Sequence, residues 1–333
     1  MTLRKMISIA IPAYNEEKNL LELIERLQKV FIPLDEKYLF EVVICENGSI
    51  DNSFETLKKI NSQDERIKTI RLVRNFNMEG GMMAALAHVQ GDACVIMSAD
   101  LQDPPEMIPT FIDKWEQGYE NVYTIITKRH GEGLLRRIAA QMFYWVMYKV
   151  SDHTVPRNAS DFRLVSKAAY EAFNRMPERV RLIRAVWGWL GFRSVGIAYE
   201  RPARKAGVSS FKPFVTAPYA VRAILGSSYT PLRLIPLVGI VISLLSFVAI
   251  GVMGVIWIGF GVPFPGFGSL VTLNLMMFGL VFLFMGILSE YVGVIHEEIR
   301  QRPSFLVAEL IGLESNTYIT GQTEVIDGGC TCQ

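Results

Sequence analysis

The sequence predicts an α/β domain built on a mostly parallel, doubly wound sheet, followed by a hairpin of two membrane-spanning helices. Three observations predict it. Short apolar runs alternate with amphipathic stretches up to about residue 130. From Leu234 to Ser289 the chain carries no Asp, Glu, Lys, Arg or His. Polar residues gather in three segments, each directly after an apolar run.

Taken in order, Ile7–Ile11 is an apolar strand that ends at Pro12. Glu16–Val30 has helical spacing, with Leu20, Leu23, Ile24 and Leu27 on one face. Phe40–Cys45 is the next strand, and Asn47-Gly48-Ser49 is the turn after it. Asp51–Ile60 reads as helix, Thr69–Val73 as strand, Gly81–Val89 as helix and Ala93–Met97 as strand. Met107–Glu116, opened by prolines, is a helix, and Val122–Thr127 is a strand. Strands alternating with helices give parallel crossover units. Ligands of such sheets sit outside the carboxyl ends of the strands. That rule selects the segments Pro12–Glu17, Glu46–Asn52 and Ser98–Pro105.

The uncharged block divides at Gly261-Val262-Pro263-Phe264-Pro265-Gly266-Phe267-Gly268, which cannot continue a helix. The flanking runs, about 234–260 and 269–289, are each long enough to cross a bilayer, which takes about 20 apolar residues. Arg222 and Arg233 precede the first and Arg300 and Arg302 follow the second, whereas the connecting turn has no Lys or Arg. By the positive-inside rule both ends of the hairpin, and the large domain before it, face the cytoplasm. Lys212–Ser228 mixes aromatic and aliphatic residues with Lys212 and Arg222, the pattern of an interfacial helix. Leu134–Lys149 has a similar composition and either lies in the headgroup layer or packs on the domain.

Composition narrows the class. Half of the 333 residues are hydrophobic and the net charge is +1, without the basic excess of a nucleic-acid binder. Of four cysteines, Cys45 and Cys94 fall in apolar runs and read as buried thiols, and Cys330 and Cys332 lie in a Gly-rich tail. No disulfide framework is visible, which fits a reducing compartment. Polar Met1–Lys5 is followed by an apolar run too short for a signal peptide. His88, His130, His153 and His296 have no ligand spacing.

The three selected segments carry the polar chemistry. Pro12-Ala13-Tyr14-Asn15-Glu16-Glu17 offers a ring and carboxylates. Glu46-Asn47-Gly48-Ser49-Ile50-Asp51 offers a carboxylate, an amide and a glycine turn. Ser98-Ala99-Asp100-Leu101-Gln102-Asp103-Pro104-Pro105 offers hard oxygen ligands. Each alone is compatible with ordinary turn chemistry, but three at one sheet edge make a site. A dinucleotide fingerprint and a Walker loop are both absent.

These residues resemble family 2 glycosyltransferases of the polyprenyl-phosphate branch, which includes dolichyl-phosphate mannose synthases and bacterial undecaprenyl-phosphate glucosyltransferases. Ile9–Glu17 is similar to the family's opening strand and loop, Glu46–Asp51 to its second-strand motif, and Asp100–Pro105 to its metal motif. Asp161-Phe162-Arg163-Leu164, Gly191-Phe192, Tyr199-Glu200-Arg201-Pro202 and Gly286–Gln301 extend the resemblance over about residues 5–306. It implies a GT-A fold, inverting chemistry and Mg²⁺ or Mn²⁺. It implies that Pro12, Ala13, Tyr14, Glu16, Glu46, Ser49 and Asp100 hold a nucleotide-diphosphate sugar, and that Asp100 and Gln102 bind the metal. Asp161 stands at the position of the branch's proposed catalytic carboxylate. Arg129, Arg136, Arg137 and Arg163 stand where basic residues meet the lipid phosphate; for the first three a solvated face is the alternative.

The sequence departs from the family at Glu46-Asn47, at Ser98, where relatives often have Asp, and at Ser210, where they often have Lys. The expected organisation is a cytoplasmic GT-A domain over 1–210, an amphipathic interfacial helix over 211–232, the hairpin over 233–296 and a cytoplasmic tail over 297–333. The expected reaction moves a hexose, by default glucose from UDP, onto a polyprenyl phosphate at the cytoplasmic face of a bacterial membrane, in cell-envelope glycan synthesis by a homo-oligomer. Mannose, an N-acetylhexosamine or a modified pentose are alternative sugars. A non-catalytic membrane scaffold with a decayed transferase domain is the alternative of another class.

Overall fold

Strand β1, Lys5–Ala13, lies near the middle of an eight-stranded sheet in a computed structural model that describes residues 4–129, 159–176, 178, 183–202 and 266–313, with scattered positions between 232 and 259. The other strands are β2 (Tyr38–Glu46), β3 (Ile67–Leu72), β4 (Ala93–Ile96), β5 (Asn121–Arg129), β6 (Ala159–Ser166), β7 (Ser194–Arg201) and β8 (Val307–Ile311). Their order is β7-β5-β6-β4-β1-β2-β3-β8. The pairs β1–β2, β2–β3, β1–β4 and β5–β7 are parallel. The pairs β4–β6, β5–β6 and β3–β8 are antiparallel. The chain alternation up to residue 130 foretells the first five strands; β6 and β8, which make the sheet mixed, come later in the chain, as does β7.

The helices of this unit are α1 (Glu17–Phe31), α2 (Ser53–Gln63), α3 (Asn77–His88), α4 (Ile108–Glu116), α5 (Lys167–Arg175) and α6 (Ile183–Trp189). Successive strand residues point to opposite faces, so each central strand serves two cores. Ile7, Ile9, Ile11, Val42, Ile44 and Val95 pack with Leu20, Leu23 and Leu27 of α1 and Phe111 of α4. Ala10, Val43, Cys45, Cys94 and Ile96 face the other way, onto Met82, Ala85 and Leu86 of α3, Phe173 of α5 and Trp187 of α6. Phe173 and Trp187 stack with ring centroids 4.7 Å apart. Cys45 and Cys94 are buried free thiols, as their apolar settings predict. Glu41 is the exception in an apolar strand; it accepts from Ser8 at 2.5 Å and Lys68 at 2.7 Å, which offsets the cost of burying its charge.

The topology gathers the site. Moving outward from β1, the order reverses between β2 and β4, the arrangement that opens a crevice at the carboxyl ends of the strands. Because β6 runs antiparallel to β4, the start of β6 lies at that same edge, with the ends of β5 and β7 beside it.

The chain divides into two compact units, residues 1–212 with 301–333, and residues 213–300. Strand β8 therefore belongs to the sheet unit: part of the expected tail pairs with β3, and Phe305 before it is buried in the core. In the second unit, helix α7 (Phe267–Ile299) is 33 residues long and runs past the expected end of the second span. Its segment Met276–Ile299 is, among the described residues, the one helix long and apolar enough to cross a membrane, and only 6% of its most apolar stretch is buried. Leu273, Met276, Phe278, Phe282 and Leu283 are all exposed. Such exposure does not fit the core helix of a soluble protein. The first expected span, 234–260, is described only at scattered residues, helical at each, including exposed Ile240, Leu244 and Ile258; as a continuous span it lies outside the described residues. The segments 134–149 and 212–228 lie outside them as well.

Candidate active site

Three loops meet at the carboxyl edge, and backbone geometry fixes the first two to each other. Asn15, in the left-handed region at φ 55, donates its N–H to Ser49 Oγ at 3.0 Å and accepts at Oδ1 from Ile50 N at 2.9 Å. Glu16 N donates to Ser53 Oγ at 3.0 Å, and Glu17 N to Asp51 at 3.3 Å. Pro12, Ala13, Tyr14 and Glu16 thus form a ledge braced by the loop after β2. Tyr14 is 40% exposed, free to present its ring, while Ala13 is buried.

The loop after β2 turns at Gly48, where φ is +67 and a Cβ would lie 2.5 Å from the Arg74 carbonyl carbon. Only glycine fits there. Glu46, 1% exposed, accepts from the Ser49 N–H through Oε1. Its Oε2 is buried without a hydrogen bond, 3.7 Å from Arg71 Nε. A buried carboxylate oxygen at a strand end that has an ion pair but no hydrogen bond suits a donor on a ligand. Asn47 uses its amide on both sides: Nδ2 donates to Asn77 O at 2.7 Å and Oδ1 accepts from Phe76 N at 2.9 Å. Both contacts hold the start of α3 against the loop, and an aspartate could not make the first.

The loop after β4 is electrostatically denser. Asp100, 7% exposed, accepts at Oδ1 from Ser98 Oγ at 2.8 Å and Gln102 N at 3.2 Å. Gln102 donates Nε2 to Pro202 O at 3.1 Å. Asp103, 3% exposed, accepts from Ser98 N at 3.0 Å and Ser98 Oγ at 2.6 Å. Its Oδ1 meets the Tyr199 hydroxyl at 3.3 Å and Arg201 at 3.8 Å. Burial pushes the Asp103 carboxyl up, against the pull of Arg201. The Tyr199 phenol, pushed up to about 12 chiefly by burial and then by Asp103, also meets Ser160. Asp161 follows Ser160 on β6 and is half-buried.

Asp100 and Gln102 supply hard oxygens, the donor type that Mg²⁺ or Mn²⁺ takes. Among the described residues no group of three or more His, Cys, Asp or Glu could hold a metal alone, so a cation here needs oxygens from a ligand or water. Two side-chain oxygens beside an anionic ligand would fit that requirement.

The structure therefore places Pro12, Ala13, Tyr14, Glu16, Glu46, Ser49, Asp100, Gln102 and Asp161 at one edge. Arg163 sits deeper: it is 3% exposed, donates Nη2 to Ser160 O at 2.8 Å and lies 5.7 Å from the Trp187 ring centre. Arg136 and Arg137 lie outside the described residues, as does the side chain of Arg129, whose backbone ends β5. The sequence marks Asp103 only as one of the oxygens in the segment after β4, and Tyr199 and Arg201 only within a stretch that extends the resemblance. The available signal was period: Tyr199 and Arg201 are two apart on a strand and share a face.

The comparisons agree with this architecture. The model of glycosyl transferase family 2 matches residues 8–191. An uncharacterized glycosyltransferase of Synechocystis is 35% identical over 92% of this chain and 96% of its own length. Another, of Bacillus subtilis, is 33% identical over 95% of this chain and 97% of its own. A prophage-derived bactoprenol glucosyl transferase of Shigella flexneri is 31% identical over 90% of this chain and 97% of its own. By that match and these relatives, this chain belongs to glycosyl transferase family 2.

Proposed function

We propose that this chain is an inverting, metal-dependent glycosyltransferase that moves a hexose, by default glucose from UDP-glucose, onto a polyprenyl phosphate at the cytoplasmic face of a membrane. The observation that carries the reading is the end of β4, where buried Asp100 and half-buried Gln102 stand between the ledge Pro12–Glu16 and the β6 start bearing Asp161. The relative named bactoprenol glucosyl transferase supports the lipid acceptor, since the likeness covers nearly both chains. Exposed, apolar α7 supports residence in the membrane, where such an acceptor lies.

In this reading Tyr14 and Glu46 hold the nucleotide, Glu46 through its open Oε2, with Pro12, Ala13, Glu16 and Ser49 shaping the socket. Asp100 and Gln102 would hold Mg²⁺ or Mn²⁺, which supplies charge stabilisation to the departing diphosphate. A phosphate monoester has its second pKa near 6 and arrives mostly ionised at neutral pH, so it attacks without a strong base. The bond from sugar C1 to the diphosphate oxygen breaks as the bond to the acceptor phosphate oxygen forms, with inversion at C1. Asp161 orients the acceptor at the edge of the site, and Arg163 anchors that strand from within. Arg129, Arg136 and Arg137 are proposed to meet the lipid phosphate, for which a planar guanidinium is suited. The two spans form a hairpin with both ends cytoplasmic.

The test is transfer from a panel of labelled nucleotide sugars to undecaprenyl phosphate by the purified full chain, read as label in the organic phase. The reading expects label from UDP-glucose above all others. Label from another donor alone would replace the sugar, and no label from any donor would favour the scaffold.

A further inference from the structure

We propose that Asp103 is a positioning residue for the metal-bearing loop, setting the Asp100 carboxylate through Ser98 while Tyr199 and Arg201 hold it from β7. The proposal rests on the metal role of Asp100 given above and adds a residue that itself touches neither metal nor sugar.

Four observations lead to it. Asp103 is 3% exposed and has a partner at each oxygen, Ser98 at Oδ2 and Tyr199 at Oδ1. Ser98 Oγ lies 2.6 Å from Asp103 and 2.8 Å from Asp100, so one hydroxyl bridges two carboxylates. A hydroxyl has one proton to donate, so its orientation is shared between them. Ser98 N also donates to Asp103 at 3.0 Å, which pins the turn that carries Asp100.

Geometry explains the departure at Ser98. An aspartate there would put a third carboxylate beside Asp100 and Asp103, in a pocket where both are under one-tenth exposed. Charges so close and so dry repel strongly. Serine removes one charge and supplies a donor in its place. The negative charge beside Asp100 is then set back onto Asp103, whose neighbours Tyr199 and Arg201 come from β7, far along the chain. Groups that orient a metal ligand in this indirect way typically change metal affinity by about 10–100-fold when removed.

The test measures Mn²⁺ binding to the full chain in detergent, without sugar or lipid, from the electron paramagnetic resonance signal of free Mn²⁺. Asp103→Asn keeps the volume but sets an amide against Arg201, and should weaken Mn²⁺ binding about tenfold. Ser98→Ala, which removes the bridge and leaves Asp103 and its β7 partners in place, should weaken it similarly and keeps the test open if Asp103→Asn does not fold. Tyr199→Phe, which removes one of several partners of Asp103, should weaken it only about two- to threefold. Parental affinity in both Asp103→Asn and Ser98→Ala, with binding lost in Asp100→Ala, overturns the positioning role and leaves the metal site standing. Failure of the parent itself to bind Mn²⁺, or parental binding in Asp100→Ala, overturns the metal reading and this proposal with it.

Discussion

The loops after β2 and β4 lie at one sheet edge, on either side of the end of β1, and are held by different means. In the first, acceptors meet backbone N–H groups close at hand: Glu46 takes the Ser49 N–H, Asp51 takes those of Ser53 and Glu17, and Ser49 takes that of Asn15. In the second, the carboxylates take one backbone N–H each, from Gln102 and Ser98, but also meet side chains, and some of those side chains come from β7. A socket shaped by backbone donors recognises a ligand by form and hydrogen bonds. A buried cluster of carboxylates concentrates negative charge, which only a cation or a proton can balance. In the proposed function this difference would separate holding a nucleotide from handling the charge of its diphosphate.

The comparison can be broken most sharply at Asp100. Asp100→Ala removes the carboxylate of the charged loop and should lower kcat about 10³-fold with little change in Tm, read by lipid-linked label and thermal unfolding. Glu46→Gln acts on the other loop. It replaces the open carboxylate oxygen by an amide and should raise the KM for the nucleotide sugar about tenfold while kcat falls far less. Equal losses of kcat from both changes would erase the proposed division of labour.

Gly48→Ala tests the backbone nature of the first loop. The left-handed φ costs roughly 1–2 kcal/mol for a residue with a Cβ, before the close approach of Arg74 is counted. A Tm lower by roughly 5 °C is expected, with a matching rise in the KM for the nucleotide sugar. The smallest effect belongs to Asp64, distant from both loops. Hydrogen bonds from Arg66 hold its carboxyl down to about 2, from an ordinary value of 3.8. A folded pKa below the unfolded one contributes stability that is complete above about pH 4 and is lost as pH falls toward 2. Thermal unfolding followed down this range should lose part of its acid sensitivity in Asp64→Asn.

The backbone-held loop was largely legible in the sequence, because its determinants are local. Gly48 marks the turn, Glu46 ends an apolar run, and the bracing residues Asn15 and Ser49 each lie within a few residues of a strand end. Asp100 and Gln102 were legible as a motif for the same reason, with Pro104 and Pro105 marking the approach to the next helix. The contacts that hold Asp100 in place were not. Tyr199 reaches Asp103 across 96 residues of chain, and β6 brings Asp161 to the edge by antiparallel pairing that no local period announces. Strand β8 escaped for another reason: five residues after a long apolar helix read as tail until β3 is seen to need an edge partner. Helix α7 was legible by hydropathy, and the structure adds that its apolar residues are exposed rather than packed in a core.

In the proposed function a divalent cation on Asp100 drives sugar transfer to a polyprenyl phosphate. The most direct measurement is label transferred from UDP-glucose to undecaprenyl phosphate by the purified full chain and by Asp100→Ala, each after EDTA treatment and after Mn²⁺ is restored. Transfer by the parent should be abolished by EDTA and restored by Mn²⁺, with neither treatment rescuing Asp100→Ala. Transfer that survives EDTA, or that proceeds at the parental rate in Asp100→Ala, would contradict it.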